Sequence, residues 1–281
     1  MTKMTRSQQP GISLFAVGLL GLGVVTLIFG DFALVWQPVA AWIPGRTALA
    51  YLTGALELGV GAGLLFESTV KWSVRVLFPG LVLWALLKVP AMVVGWRIEG
   101  TWLGMGELTL FLAGGWTLFA QLGEASDESP LAWLAGERGT RLAQMLLGIS
   151  VIPIGLSHLV YGQVTADYVP AWLPYRIGWA YLTGAGQMAS GLGLLFGVWR
   201  RVAAWAETWM IALFTLLVWA PTIFAAPQTR LPWTAFFISW SFCAAAWVVA
   251  QSVVPQKAAE PGVVRIDAAM SSASRTSSSR T

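Results

Sequence analysis

The sequence predicts an all-α polytopic membrane protein: eight transmembrane helices forming two tandem four-helix bundles related by a pseudo-two-fold axis. Three observations carry that expectation. Only 11% of the 281 residues are charged and 57% are hydrophobic, against about 25% charged in ordinary soluble domains. Apolar segments of about 20 residues, long enough for a ~30 Å hydrocarbon core, recur near 12–30, 47–66, 72–95, 102–121, 141–162, 177–197, 202–225 and 233–252. Finally, residues 41–66 and 171–196 align without a gap, with 15 of 26 positions identical. An internal repeat of this kind marks a duplicated unit. The expected units are 1–121 and 141–252, joined by a cytoplasmic linker at 122–140 and followed by a disordered cytoplasmic tail at 253–281.

The first segment follows Lys3 and Arg6 and takes the place in the first unit that 141–162 takes in the second. It is therefore read as a retained helix rather than a signal peptide. The loop from Asp31 to Gly45 carries Trp36, Pro38, Trp42 and Pro44, a composition suited to a membrane interface. In the repeated helix, Ala55, Gly59 and Gly63, and likewise Ala185, Ala189 and Gly193, stand four residues apart. Such ribbons are expected to admit a neighbouring helix closely, because apolar burial gives no preference between helix and lipid. Pro90 and Pro221 fall at matching depths in the third and seventh spans, which predicts a kink in both. The linker, acidic around Leu131-Ala132-Trp133-Leu134, suits a short surface helix.

With the N-terminus cytoplasmic, twelve Lys and Arg fall inside and four (Arg46, Arg97, Arg176 and Arg230) fall outside. The positive-inside rule then puts both termini in the cytoplasm and both Trp-Pro loops outside. The expected location is a bacterial inner membrane, with the lipid bilayer as partner.

Ionisable residues within spans are costly and default to a functional hypothesis. They are Glu57, Lys88, Glu107, His158 and Glu207. At about 1.5 Å per residue, the first four lie in the outer half of the membrane. Glu207 lies nearer the inner end, where it is expected to snorkel toward the inner arginines. Arg46, Thr53 and Glu57 share one face of the second span, as Arg176, Thr183 and Gln187 do in the sixth. The candidate polar pocket is therefore Glu57, Lys88, Glu107, Arg46 and Thr53 in the first unit, with His158, Gln187 and Arg176 in the second. Two readings stay open for it. Lys88 pairs with Glu57, Glu107 or both and fixes the helix register, or the cluster lines an outward pocket that binds a carbonyl or passes a proton. A single histidine excludes a bis-histidine haem, and the sole cysteine, Cys243, excludes an intramolecular disulfide relay. No metal site is expected, and no basic aromatic surface for nucleic acid.

The run Gly155-x-x-His158-Leu159, then Val169-Pro170-Ala171-Trp172-Leu173-Pro174, Tyr181-Leu182-Thr183-Gly184 and Gly191 to Leu195 resembles the DoxX-like membrane proteins. Trp42, Pro44, Tyr51 to Gly54, Glu57, Gly61 to Phe66, Gly106-Glu107 and Ala113-Gly114 extend the resemblance to the first unit. Members are typically single four-helix units, so this chain looks like a fused pair, departing from the pattern at Ile28 and Gln187. The resemblance implies a quinone-contacting or accessory subunit of a membrane redox system, with quinone as the ligand and a soluble oxidoreductase subunit as partner. The alternatives are a small-solute or proton-coupled transporter, and a structural membrane partner without catalysis.

Overall fold

The computed structural model describes residues 9–123 and 132–253, and among these every regular element is helical. Helix α1 is Gln9–Phe29, α2 Arg46–Leu64, α3 Val70–Val94, α4 Glu99–Leu122 and α5 Gly136–Val160. A short α6, Gly162–Tyr168, lies in the second Trp-Pro loop, and α7 is Arg176–Phe196. Helix α8, Arg200–Phe214, runs through a π-helical turn at Thr215–Trp219 into α9, Ala220–Ala225, and α10 is Arg230–Ser252. The eight apolar segments of the sequence are thus all helical, each within a few residues of its expected bounds.

Seven of the helical segments are long and apolar enough to cross a membrane: α1, α2, α3, α4, α5, the continuous stretch Arg200–Ala225, and α10. Helix α7 has 21 residues, about 31 Å at 1.5 Å per residue. Its Gly, Gln, Ser and aromatic content makes it less apolar than the others.

The helices close into a ring. Each successive long helix packs on the next, α10 returns to α1, and α4 meets α10 across the middle. Half or more of the most apolar window of α1, α4, α5 and α10 is buried, against about a fifth in α2, α3 and the α8–α9 stretch. The centre is therefore built from helices of both halves: α4 lies on α5, and α1 on α10. Within the second half, α5 also touches α10. Phe15 stacks on Phe111 at 5.0 Å, and Phe111 meets Phe242 at 6.5 Å, tying α1, α4 and α10 together.

Close helix approach does use small residues, but the expected ribbons only at one end, where a Cβ at Gly63 would meet Ser73 Oγ and one at Gly193 would stand 2.9 Å from Ala203 Cβ. Ala55, Gly59, Ala185 and Ala189 are exposed on the outer face of their helices. The packing face is Gly54 and Gly61 in α2, and Gly184 and Gly191 in α7, all buried. A Cβ at Gly155 would stand 2.5 Å from the carbonyl of Gly184, so α5 and α7 cross backbone to backbone. The four-residue spacing was real, but away from that end the neighbour sits on the adjacent stripe.

The two prolines also differ. Pro90 lies within α3, which stays α-helical to Val94. Pro221 follows the π turn, where the missing proline N–H and the wider turn loosen the helix. The expected linker helix is a single 3-10 turn, Ala132–Leu134, whose Leu134 carbonyl accepts from Trp116 Nε1 at 2.9 Å. Helix α5 begins at Gly136 and absorbs the end of the linker. The rest of the expected linker, at 124–131, and the tail from 254 lie outside the described residues.

Candidate functional site

The first Trp-Pro loop does not merely rest on the surface. After Asp31 it makes a 3-10 turn at Leu34–Trp36 and sends two consecutive side chains inward. Trp36 Nε1 donates to Glu107 Oε2 at 2.7 Å. Gln37 Nε2 donates to Glu57 Oε1 at 2.6 Å, while Gln37 Oε1 receives the Ala33 N–H at 2.8 Å. Two of the costly carboxyls of the first unit are thus met by neighbouring loop residues, a role that no helical periodicity announces.

Asp31 fastens the same loop. It pairs with Arg46 and, at 2.6 Å, with Arg230, which also donates to the Phe32 carbonyl at 2.6 Å. Arg46 further donates to the Val39 carbonyl at 3.2 Å. Burial works against the Asp31 charge, but the Arg230 bond, the Phe32 N–H and Arg46 outweigh it and hold the carboxyl below its ordinary value. Arg46 is therefore a loop anchor rather than a wall of a pocket. Arg176, its repeat counterpart, pairs with Asp167 at 3.3 Å in an exposed position.

Lys88 lies against α4, where a Cβ on Gly104 would stand 2.9 Å from its Nζ. Its electrostatic partner is Glu107. Glu57 is engaged by Gln37 instead. Thr53 sits one helical turn before Glu57 on α2. Glu99, in the first turn of α4, also acts on Glu107 through its charge; sequence reading placed it in a loop and missed it.

Glu207 does not snorkel. It is fully buried, about 10 Å into α8 at 1.5 Å per residue, and receives Gln187 Nε2 at 3.3 Å. A short glutamate stem that far from the inner end finds a partner on α7 sooner than it finds water. Each half therefore holds a buried Gln–Glu bond, Gln37–Glu57 and Gln187–Glu207, with the repeat position (57 and 187) supplying the acid in one and the amide in the other.

The candidate site is a cavity of about 620 Å³. One end lies under the second Trp-Pro loop, at Tyr168, Pro170 and Trp172, and its wall runs from there along α5, α7, the π turn and α10. Apolar and aromatic side chains make up most of it. The polar groups it collects include Glu107 from the first half and His158, Thr183 and Gln187 from the second. Glu57, Lys88, Arg46, Thr53 and Arg176 do not line it. The cavity thus joins parts of both expected sets, because α4 packs directly on α5: a Cβ at Gly106 would stand 2.5 Å from the Ser150 carbonyl. His158 Nδ1 is 3.0 Å from Thr183 Oγ1, and its ring lies 5.7 Å from that of Phe214. Among the described residues no group of three or more His, Cys, Asp or Glu is placed to hold a metal ion.

A family model for a domain of unknown function (DUF8561) matches residues 147–250, a stretch that holds most of α5 and all of α6 to α9. No curated protein matches the chain, and no solved structure does.

Proposed function

We propose that this chain is an eight-span protein of the bacterial inner membrane. In this reading it consists of two tandem DoxX-like units with both termini cytoplasmic, and its cavity binds a lipid-soluble molecule with a ring or chain body and a polar end. A quinone-type ligand is the leading candidate, and the role is that of a quinone-contacting or accessory subunit of a membrane redox system. The observation that carries this reading is the cavity itself. Its volume falls in the range of small-molecule sites, about 300–1,000 Å³, and a mostly apolar wall carries a few polar groups, Glu107, His158 and Gln187. The eight-span, two-unit reading draws on α7, which takes the repeat position of α2 and has comparable length.

The transporter reading draws no comparable support, since Glu57 and Lys88 lie off the cavity and Glu57 is bonded to a loop side chain.

Purification in mild detergent, followed by solvent extraction, is expected to yield a bound lipid-soluble compound. Added decyl-benzoquinone is expected to quench tryptophan emission saturably, with Met210→Trp, on the cavity wall, abolishing the effect. Neither extraction nor saturable quenching would leave a structural partner as the remaining role. Orientation is checked in a Cys243→Ala background. Ala40→Cys and Tyr175→Cys should react with an impermeant thiol reagent from outside, and Ser68→Cys should not; the reverse pattern would invert the topology.

A further inference from the structure

Resting on the reading of the cavity as a ligand site, we infer that it selects a ligand whose polar end is a hydrogen-bond donor. A phenol, hydroquinone or alcohol head fits it better than a head offering only carbonyl or ether oxygens.

The polar groups on the wall have their donors committed elsewhere. Thr183 Oγ1 stands 2.9 Å from the Trp179 carbonyl and 3.0 Å from the Ala180 carbonyl, so its single hydrogen is turned onto its own helix. Toward His158, 3.0 Å away, that hydroxyl can then only accept. On that ground we assign the proton of the neutral imidazole to Nδ1, which leaves Nε2 as an acceptor. Glu107 has one oxygen engaged by Trp36, and in its ionised form, which the Lys88 charge favours, its remaining lone pairs are acceptors. Gln187, 2% exposed, gives Nε2 to Glu207, and its buried Oε1 has no partner.

The donors of Trp179 and Ser157 are also committed. Trp179 Nε1 donates to the Pro174 carbonyl at 3.0 Å, and Ser157 Oγ to the Ile154 carbonyl at 2.7 Å. Tyr161, Thr165, Tyr168, Trp172 and Trp219 keep theirs, and they stand at the end of the cavity beneath the second Trp-Pro loop, with Trp219 against Tyr168 at 5.5 Å. A ligand bearing only acceptors would bring lone pairs against lone pairs in an apolar enclosure, where unpaired polar groups are expensive. A site built to meet a ligand hydroxyl rejects analogues lacking it far more strongly than an apolar site rejects a lost methylene.

The test compares 4-octylphenol, its methyl ether and decyl-benzoquinone by calorimetry on the full chain in detergent. The phenol is expected to bind at least about tenfold more tightly than either of the others, the worth of one buried hydrogen bond. Glu107→Gln keeps an oxygen for Trp36 and adds an N–H pair, so it should narrow the phenol–quinone gap; His158→Phe should narrow the phenol–ether gap. Equal binding of all three probes, with Met210→Trp abolishing each, would overturn donor selection while leaving the ligand site standing. No binding by any probe would remove the ligand site and this inference together. A phenol preference unchanged in both variants would overturn its assignment to Glu107 and His158. If neither variant folds, the wild-type comparison alone decides.

Discussion

Gln37 Nε2 lies 2.6 Å from Glu57 Oε1, so a loop amide answers the one acid of α2. Glu57 Oε2 has no hydrogen-bond partner, so Gln37 is the group on which this acid relies. Gln37→Leu should therefore destabilise the protein by about 1–3 kcal/mol, the cost of leaving a buried polar group unmet. Gln37→Leu with Glu57→Leu should recover most of that loss. Thermal unfolding in detergent, arranged as a double-mutant cycle, reads the coupling; additive losses would mean that Glu57 is satisfied by another route.

Asp31 ties the first loop to both Arg46 and Arg230, and through Arg230 it joins the two halves. Its carboxyl is held below the ordinary value, so it binds fewer protons folded than unfolded. The stabilisation is then complete above the unfolded pKa of about 3.9 and is lost as the pH falls through the lower, folded value. Asp31→Asn should be less stable than wild type at pH 7, and the gap should close in acid below about pH 4. A constant gap from pH 7 to pH 3 would show that the pairing does not involve the charge of Asp31.

The repeat also exposes a strained residue. Gly45 and Tyr175 stand at equivalent positions before α2 and α7, and both take left-handed backbone, φ 68° and 59°. Glycine adopts that region freely, whereas a residue with a Cβ loses about 1–2 kcal/mol there. Tyr175 is 86% exposed, so its ring brings little packing in return. Tyr175→Gly should raise stability by about 0.5–1 kcal/mol, after the larger unfolded-state entropy of glycine is taken off. A lower melting temperature would indicate that the ring meets something outside the chain.

The helices were legible because each is a long apolar run, and the duplication gave two independent views of the same element. The partners of the polar residues were legible only in part. Periodicity put Arg46, Thr53 and Glu57 on one face of α2, yet Arg46 turns outward to Asp31 and Glu57 turns to the loop. Trp36 and Gln37 lie in an irregular segment, where no period indicates which side chain points inward. Glu107 and His158 looked like members of different bundles. They share one cavity because α4 packs on α5 across the sequence boundary, a contact that hydropathy does not encode. The small-residue ribbons marked a close approach only at Gly63 and Gly193, since Gly54 and Gly61, which meet α1, sit beside the regular four-residue series rather than within it.

Lys88 reaches α4 at Gly104, one turn from Glu107, and Glu107 is the acid whose charge it feels. Glu107 in turn takes the Trp36 N–H on one oxygen and faces the cavity, so the lysine stands behind the site rather than in it. Lys88→Leu should remove charge compensation from Glu107 and cost about 1–3 kcal/mol, below the 3–5 typical of a fully buried pair, because Lys88 is only half-buried. Lys88→Leu with Glu107→Gln should restore most of the loss, whereas Lys88→Leu with Glu57→Gln should be additive. Thermal unfolding of the six proteins, wild type included, measures both couplings. Coupling to Glu57 as large as to Glu107 would contradict the division of the acids between Gln37 and Lys88. Coupling to Glu107 with unchanged ligand affinity would assign the pair to register alone. Coupling accompanied by weaker binding would make Lys88 a positioning residue, holding Glu107 in the form that the ligand meets.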